Sequence, residues 1–189
     1  MYKICRMEES QNRQLAICYT LLDMMNDCPY NEITISALCR QAEIPRKAFY
    51  RYFDTKEDVI YALIDHTQRE YLAQGPAGPG SIHEVERMFT FWYEHRKLVD
   101  TLFKNGMEGQ WLARMLEIAV EEKVGVRYVQ PGENMSHYHI LTTFTIMGLL
   151  ACVLYCYHFG WQPDPHQMAQ IVNDLLTKPL YSLPDSLRE

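Results

Sequence analysis

Several familiar signatures are missing from this chain. There is no Gly-rich phosphate loop, no G-x-S-x-G and no H-E-x-x-H, which removes the commonest nucleotide-cradling, hydrolase and metalloprotease patterns. Six cysteines, at 5, 18, 28, 39, 152 and 156, show no metal-finger spacing, and 189 residues need no disulfide framework. Most fall on apolar helical faces, where a free Cys behaves as a small hydrophobe, and a reducing cytoplasm is the expected setting. The start, M-Y-K-I-C-R-M-E-E, lacks the apolar core of a signal peptide. His137 and His139 lie two apart and so point to different faces of a helix. Cys152 and Cys156 share a face with His158 nearby, but thiols in apolar surroundings are usually inert. The sequence therefore predicts no enzyme, no cofactor and no metal. Sustained period-two alternation, internal repeats and low-complexity segments are absent as well, so the expected fold is all-α with about nine helices.

Charge is also lacking from one long stretch. Ile140 to Phe159 holds no Lys, Arg, Asp or Glu, long enough to suggest a membrane-spanning helix. It does contain Thr142, Thr143, Thr145, Gly148 and His158, and no basic cluster flanks it to set an orientation. A helix buried between others in a soluble assembly has the same composition. That reading is preferred, and a membrane-associated helical protein is the alternative.

The chain has 48% hydrophobic and 22% charged residues, ordinary for a globular protein with ample apolar surface to bury. A net charge of −6 argues against indiscriminate nucleic-acid binding. Between Thr34 and Lys56, however, five bases (Arg40, Arg46, Lys47, Arg51, Lys56) face two acids (Glu43, Asp54), a local net of +3. Thr34 is a good N-cap, and Ile35, Leu38, Cys39 and Ala42 follow at helical spacing. Pro45 suits the first turn of a second helix, where its missing N–H has no partner anyway. Ile44, Phe49 and Phe53 give that helix an apolar side, leaving Arg46, Lys47 and Arg51 outside. Two helices joined this closely form a helix-turn-helix, whose second member can lie in the major groove of DNA. Its N-terminal residues face base edges: Arg46 and Lys47 have reach and donors for guanine O6 and N7, and Ala48 is small enough to allow close approach.

At these residues the chain resembles the tetracycline-repressor (TetR) family of bacterial transcription regulators. The pattern is a Thr-Ile pair (Thr34-Ile35), a small-residue turn (Ala42-Glu43-Ile44), Tyr-x-x-Phe ending the recognition helix (Phe49-Tyr50-Arg51-Tyr52-Phe53) and a Lys opening the next helix (Lys56). The match covers roughly Leu15 to Leu63. One departure stands in the turn, where the family usually carries Gly and this chain has Glu43; a positive φ there would be strained. The resemblance implies phosphate contacts from Thr34, Tyr50, Tyr52 and Lys56, with Ser36 as an addition.

Around this motif, Leu15, Cys18, Tyr19, Leu22 and Met25 mark a supporting first helix from Glu8 to Asn26, and Glu57–Ala73 a fourth. Gln74-Gly75-Pro76-Ala77-Gly78-Pro79-Gly80 is the clearest break, dividing a DNA-binding domain (1–73) from a ligand-binding and dimerisation domain (81–189). Ser81 and Glu84 form a capping box before an aromatic stripe. Further helices span His95–Lys104, Glu108–Lys123, Asn134–Phe159 (ended by Gly160) and a last one opened by Asp164-Pro165 and closed by Lys178-Pro179, with Val126–Glu133 a loop. The last two helices carry more apolar positions (Ile140, Leu141, Phe144, Met147, Leu150, Leu154, Ile171, Leu175) than one body comfortably hides, which points to a homodimer. The resemblance agrees, implying a four-helix bundle. Core packing explains Met88, Trp92, Phe103, Met107, Trp111 and Met115 individually, yet large side chains on adjacent faces leave pockets between bundle helices. In the family such a pocket holds an inducer. The expectation is a cytoplasmic homodimeric repressor, released from a palindromic double-stranded DNA operator by a small molecule. The alternative from another class is a small-molecule-binding helical protein that no longer reads DNA.

Overall fold

The computed structural model describes residues 2, 3, 5, 7–75, 82–122 and 135–177. Every regular element among them is helical: α1 (Glu8–Asp27), a 3-10 turn (Tyr30–Glu32), α2 (Ile35–Gln41), α3 (Arg46–Tyr52), α4 (Lys56–Ala73), α5 (Ile82–Glu94), α6 (Arg96–Lys104), α7 (Glu108–Glu121), α8 (Met135–His158) and α9 (Pro165–Thr177). Residues 76–81, the loop expected at Val126–Glu133, the Asn134 cap and the Lys178-Pro179 stop lie outside the described residues.

Helix boundaries follow local chemistry. The Thr34 side chain accepts from the Ala37 N–H at 3.1 Å and starts α2, as its hydroxyl predicts. Pro45 sits one position earlier than expected, as the N-cap of α3, with extended backbone. A capping box opens α4: Thr55 Oγ1 accepts from the Asp58 N–H at 3.2 Å, and Asp58 Oδ2 accepts from the Thr55 N–H at 3.0 Å. The T-x-x-D spacing announces this box in the sequence, and reading the helix from Glu57 overlooks it. Gly160, at φ +66, ends α8 where glycine was expected to.

A single apolar cluster joins the motif to the rest. It runs from Ile17 and Leu21 of α1 through Leu38, Phe49 and Leu63 to Trp92, Leu102 and Trp111. Helix α4 packs on both α1 and α7, and α5 lies along α9. Polar stitches accompany the packing. Asn105, just after α6, accepts from the Tyr30 N–H at 2.8 Å, and Thr101 donates to Asn26 at 2.8 Å.

The charge-free helix is two-sided within one protomer. Leu150, Val153 and Cys156 of α8 are buried, whereas Ile140 (71%) and Phe144 (75%) are exposed. Leu150 thus belongs to the protomer's own core rather than to the outward face expected of it, and the side chain of Leu141 lies outside those described. On α9, Met168, Ala169 and Val172 are buried while Ile171 and Leu175 are exposed. Among the described residues, no helix is long and apolar enough to cross a membrane.

Candidate nucleic-acid interface

The turn between α2 and α3 closes as a Schellman motif. The Ile44 N–H donates to Cys39 O at 2.9 Å and the Glu43 N–H to Arg40 O at 3.2 Å. That geometry needs a left-handed residue, and Glu43 supplies it with φ 53. The glycine-preferring conformation is thus kept with an acid in place, and the expected strain is present at this position.

The turn sets the angle of α3. Phe49, Tyr52 and Phe53 are buried, while Arg46, Lys47, Tyr50 and Arg51 are exposed and Ala48 is half-exposed. One face therefore anchors the helix and the other presents cations. Arg46 Nη2 donates to the hydroxyl of Tyr50 at 3.1 Å, with the guanidinium 5.9 Å from the ring centroid. This pairing holds the guanidinium beside the ring, ready for a planar acceptor such as a guanine edge. Thr34 and Ser36 are exposed at the N-terminal end of α2.

Two of the residues expected to touch phosphate point elsewhere. Tyr52 is only 6% exposed and packs in the core. Lys56 is turned inward. Its ammonium donates to Ile33 O at 2.7 Å and to Tyr30 O, and lies 3.9 Å from the Tyr30 ring centroid. Burial pushes the Lys56 pKa down from its ordinary value. Its charge ties α4 to the 3-10 turn through the Tyr30 and Ile33 carbonyls. The outward charge is left to Arg40, Arg46, Lys47 and Arg51 against Glu43 and Asp54.

In the body, Met88, Trp92, Phe103, Met107, Trp111 and Met115 are all buried. Trp92 and Phe103 meet Trp111 edge-to-face at 5.1 and 5.4 Å. Of the six only Trp92 also lines the narrow cleft, about 10 Å³, between α5, α8 and α9, beside Phe89, Cys156, Trp161 and Met168. Two buried polar atoms outside that cleft, Trp111 Nε1 of α7 and Gln68 Oε1 of α4, make no hydrogen bond. Burial pushes the Cys152 thiol up and the Cys156 thiol up to about 11. No group of three or more metal-type side chains occurs among the described residues.

The contacts that sequence reading missed are long-range: Asn105 with Tyr30, and Arg114 of α7 with Asp65 of α4. No local spacing signals them. Charged and amide side chains on two helices give no hint in sequence that they will meet.

A helix-turn-helix head on an all-helical body is the class this geometry defines. A family profile described as "Bacterial regulatory proteins, tetR family" matches residues 22–63, from the middle of α1 into α4. The HTH-type transcriptional regulator EthR of Mycobacterium tuberculosis is 35% identical over 72 residues, 35% of this chain and 33% of the relative, as is its Mycobacterium bovis counterpart. The chain thus matches about a third of the length of these curated relatives. The crystal structure of Lin0861 from Listeria innocua superposes with a TM-score of 0.72 at 14% identity, over 93% of this chain and 95% of that one. A second structure, titled "Dihydroxyacetone kinase operon activator DhaS", superposes with a TM-score of 0.58 at 18% identity, over 87% and 94%. At such identities the superpositions speak for the fold. The likeness to the tetR family of bacterial regulatory proteins thus lies in the head, at residues 22–63.

Proposed function

We propose that this protein is a cytoplasmic, homodimeric, ligand-responsive DNA-binding regulator, acting as a repressor by occupying a palindromic operator. The observation that carries this reading is the two-sided recognition helix. Phe49, Tyr52 and Phe53 lock α3 into the core while Arg46, Lys47 and Tyr50 stand outward. Residues 1–73 form the reading head and 81–189 the body in this scheme. Base edges are taken by Arg46, Lys47 and Ala48, and phosphates by Thr34, Ser36 and Tyr50.

Exposed Ile140, Phe144, Phe159, Ile171 and Leu175 support pairing of the protomers through α8 and α9, since side chains of this size gain by being covered. A two-fold pair carries two heads, as palindromic half-sites require. For an inducer, the aromatic core around Trp92 and Trp111 offers apolar walls with one unmet polar atom, Trp111 Nε1. The reading assigns the body no catalytic role.

Selection of genomic fragments by the purified protein, followed by gel shifts across a salt series, tests the proposal. A palindromic site whose affinity falls steeply with salt is expected. If an Arg46→Ala/Lys47→Ala double variant retained the same site with the same affinity, the assignment of α3 as the reading helix would be wrong.

A further inference from the structure

The segment before α1 runs back across the head to the far end of α3. With seven residues, α3 leaves its last carbonyls without helical donors. One of them is met by the chain just beyond, where the Phe53 N–H donates to Phe49 O at 3.0 Å. Two more are met from outside the helix. Lys3 Nζ donates to Tyr50 O at 2.9 Å, and the Lys3 backbone N–H donates to Tyr52 O at 3.0 Å. A cation at a helix C-terminus is also where the helix dipole favours it.

The segment is held in turn by α1 and α4. Gln14, buried in α1, donates to Lys3 O at 2.9 Å, and Gln11 donates to Cys5 O at 2.9 Å. The Tyr2 hydroxyl donates to Asp65 of α4, whose side chain is 1% exposed. Arg114 of α7 binds the same carboxylate through Nε and Nη2 at 2.6 and 2.7 Å, and Arg69 lies 3.7 Å away. Polar contacts therefore lead from α7 through Asp65 and Tyr2–Lys3 to the end of α3, bypassing α2 and the turn.

We infer that Tyr2 and Lys3 are positioning residues for the recognition helix, capping its C-terminal end from outside and tying its placement to α7 through Asp65. The inference rests on the DNA-binding reading above and adds to it a route by which the body governs the head. Neither residue touches a base or a phosphate; both act through α3. A shift of α7 against α4 disturbs Asp65, and with it the segment that holds Tyr50 O and Tyr52 O.

Two variants test this. Tyr2→Phe removes one hydroxyl and keeps the ring, and a chain begun at Met7 removes the segment. Amide hydrogen exchange of residues 46–54 and of α7 is followed in each, alongside affinity for a DNA fragment selected by the wild-type protein. Exchange at 46–54 is expected to rise about tenfold in the shortened chain and a few-fold in Tyr2→Phe, with α7 unchanged. Affinity is expected to fall about tenfold in the shortened chain with an unaltered salt slope, because no phosphate contact is lost. Wild-type exchange at 46–54 in both variants overturns the inference. So does a uniform rise across all helices, or an affinity equal to wild type. If the wild-type protein selects no DNA, the DNA-binding reading fails by itself, and exchange at 46–54 still decides whether the segment positions α3.

Discussion

Arg114 of α7 grips Asp65 of α4 in a two-pronged pair, Nε to Oδ1 at 2.6 Å and Nη2 to Oδ2 at 2.7 Å. The hydrogen bonds that Arg114 donates to Asp65, with the neighbouring acids, hold the guanidinium well above its ordinary pKa. Both side chains are largely buried, so the pair depends on each partner satisfying the other. Arg114→Met leaves the buried carboxylate to the Tyr2 hydroxyl and to Arg69 at 3.7 Å, and is expected to cost about 3 kcal/mol of stability. An Asp65→Leu/Arg114→Met double variant should recover most of that loss. Urea unfolding of the set measures both, and equal losses in single and double variants would show that packing rather than charge decides.

Glu43 stands at φ 53 in a position built for glycine. Glu43→Gly relieves the left-handed strain and should raise stability by about 0.5–1 kcal/mol. It also removes an acid beside the reading face, so DNA affinity should rise at low salt and less at high salt. A lower unfolding midpoint in Glu43→Gly would rule out strain at this turn.

Arg46 and Tyr50 are coupled before any DNA arrives, through the 3.1 Å bond from guanidinium to hydroxyl. Arg46→Ala should weaken operator binding roughly tenfold to a hundredfold and relax preference at one base pair. Tyr50→Phe should act more weakly on affinity, since the ring remains to flank the guanidinium. Gel shifts against a panel of singly substituted operators distinguish the two.

Tyr2 responds to alkali. Burial, followed by the Asp65 carboxylate that accepts its proton, pushes its pKa up to about 12 from 10.0. The folded state thus favours the neutral phenol. Its contribution is full below about pH 10, the ordinary phenol range, and is lost as pH rises toward the folded value. Ultraviolet titration should show a late phenolate transition that disappears in Tyr2→Phe, and the stability of that variant should converge on wild type as pH climbs through this window.

Phe144 is 75% exposed on α8 and Ile140 71%. Across a two-fold axis each side chain counts twice, so Phe144→Asp should weaken the dimer by about a hundredfold or more. Sedimentation velocity at micromolar concentration should show a dimer for wild type and a monomer for the variant. A wild-type monomer would leave the apolar face of α8 and α9 without the partner proposed for it.

Much of the architecture is written in short-range spacing. The cap at Thr34, the apolar stripe through Ile35, Leu38 and Cys39, and the anchoring of Phe49 and Phe53 all depend on residues within one or two helical turns. The left-handed turn at Glu43 is signalled only by the family resemblance, whose pattern usually carries Gly at that position. The spacing of Arg46 and Tyr50 likewise places both on one face, four residues apart.

What the chain could not reveal by itself is where long side chains end. Lys56 and Tyr52 belong to a pattern that suggests the DNA surface, yet the first is drawn to Tyr30 O and Ile33 O and the second into the core. Tyr2 and Lys3 fall in a leading segment, 1–7, that the sequence suggests is frayed or lightly docked, yet folding brings them to Asp65 and to the carbonyls of Tyr50 and Tyr52. Amphipathic spacing selects the helices because it acts over neighbouring residues. The targets of flexible polar groups are chosen only after distant helices have packed, since the unmet carbonyls and buried carboxylates they satisfy do not exist as sites before then.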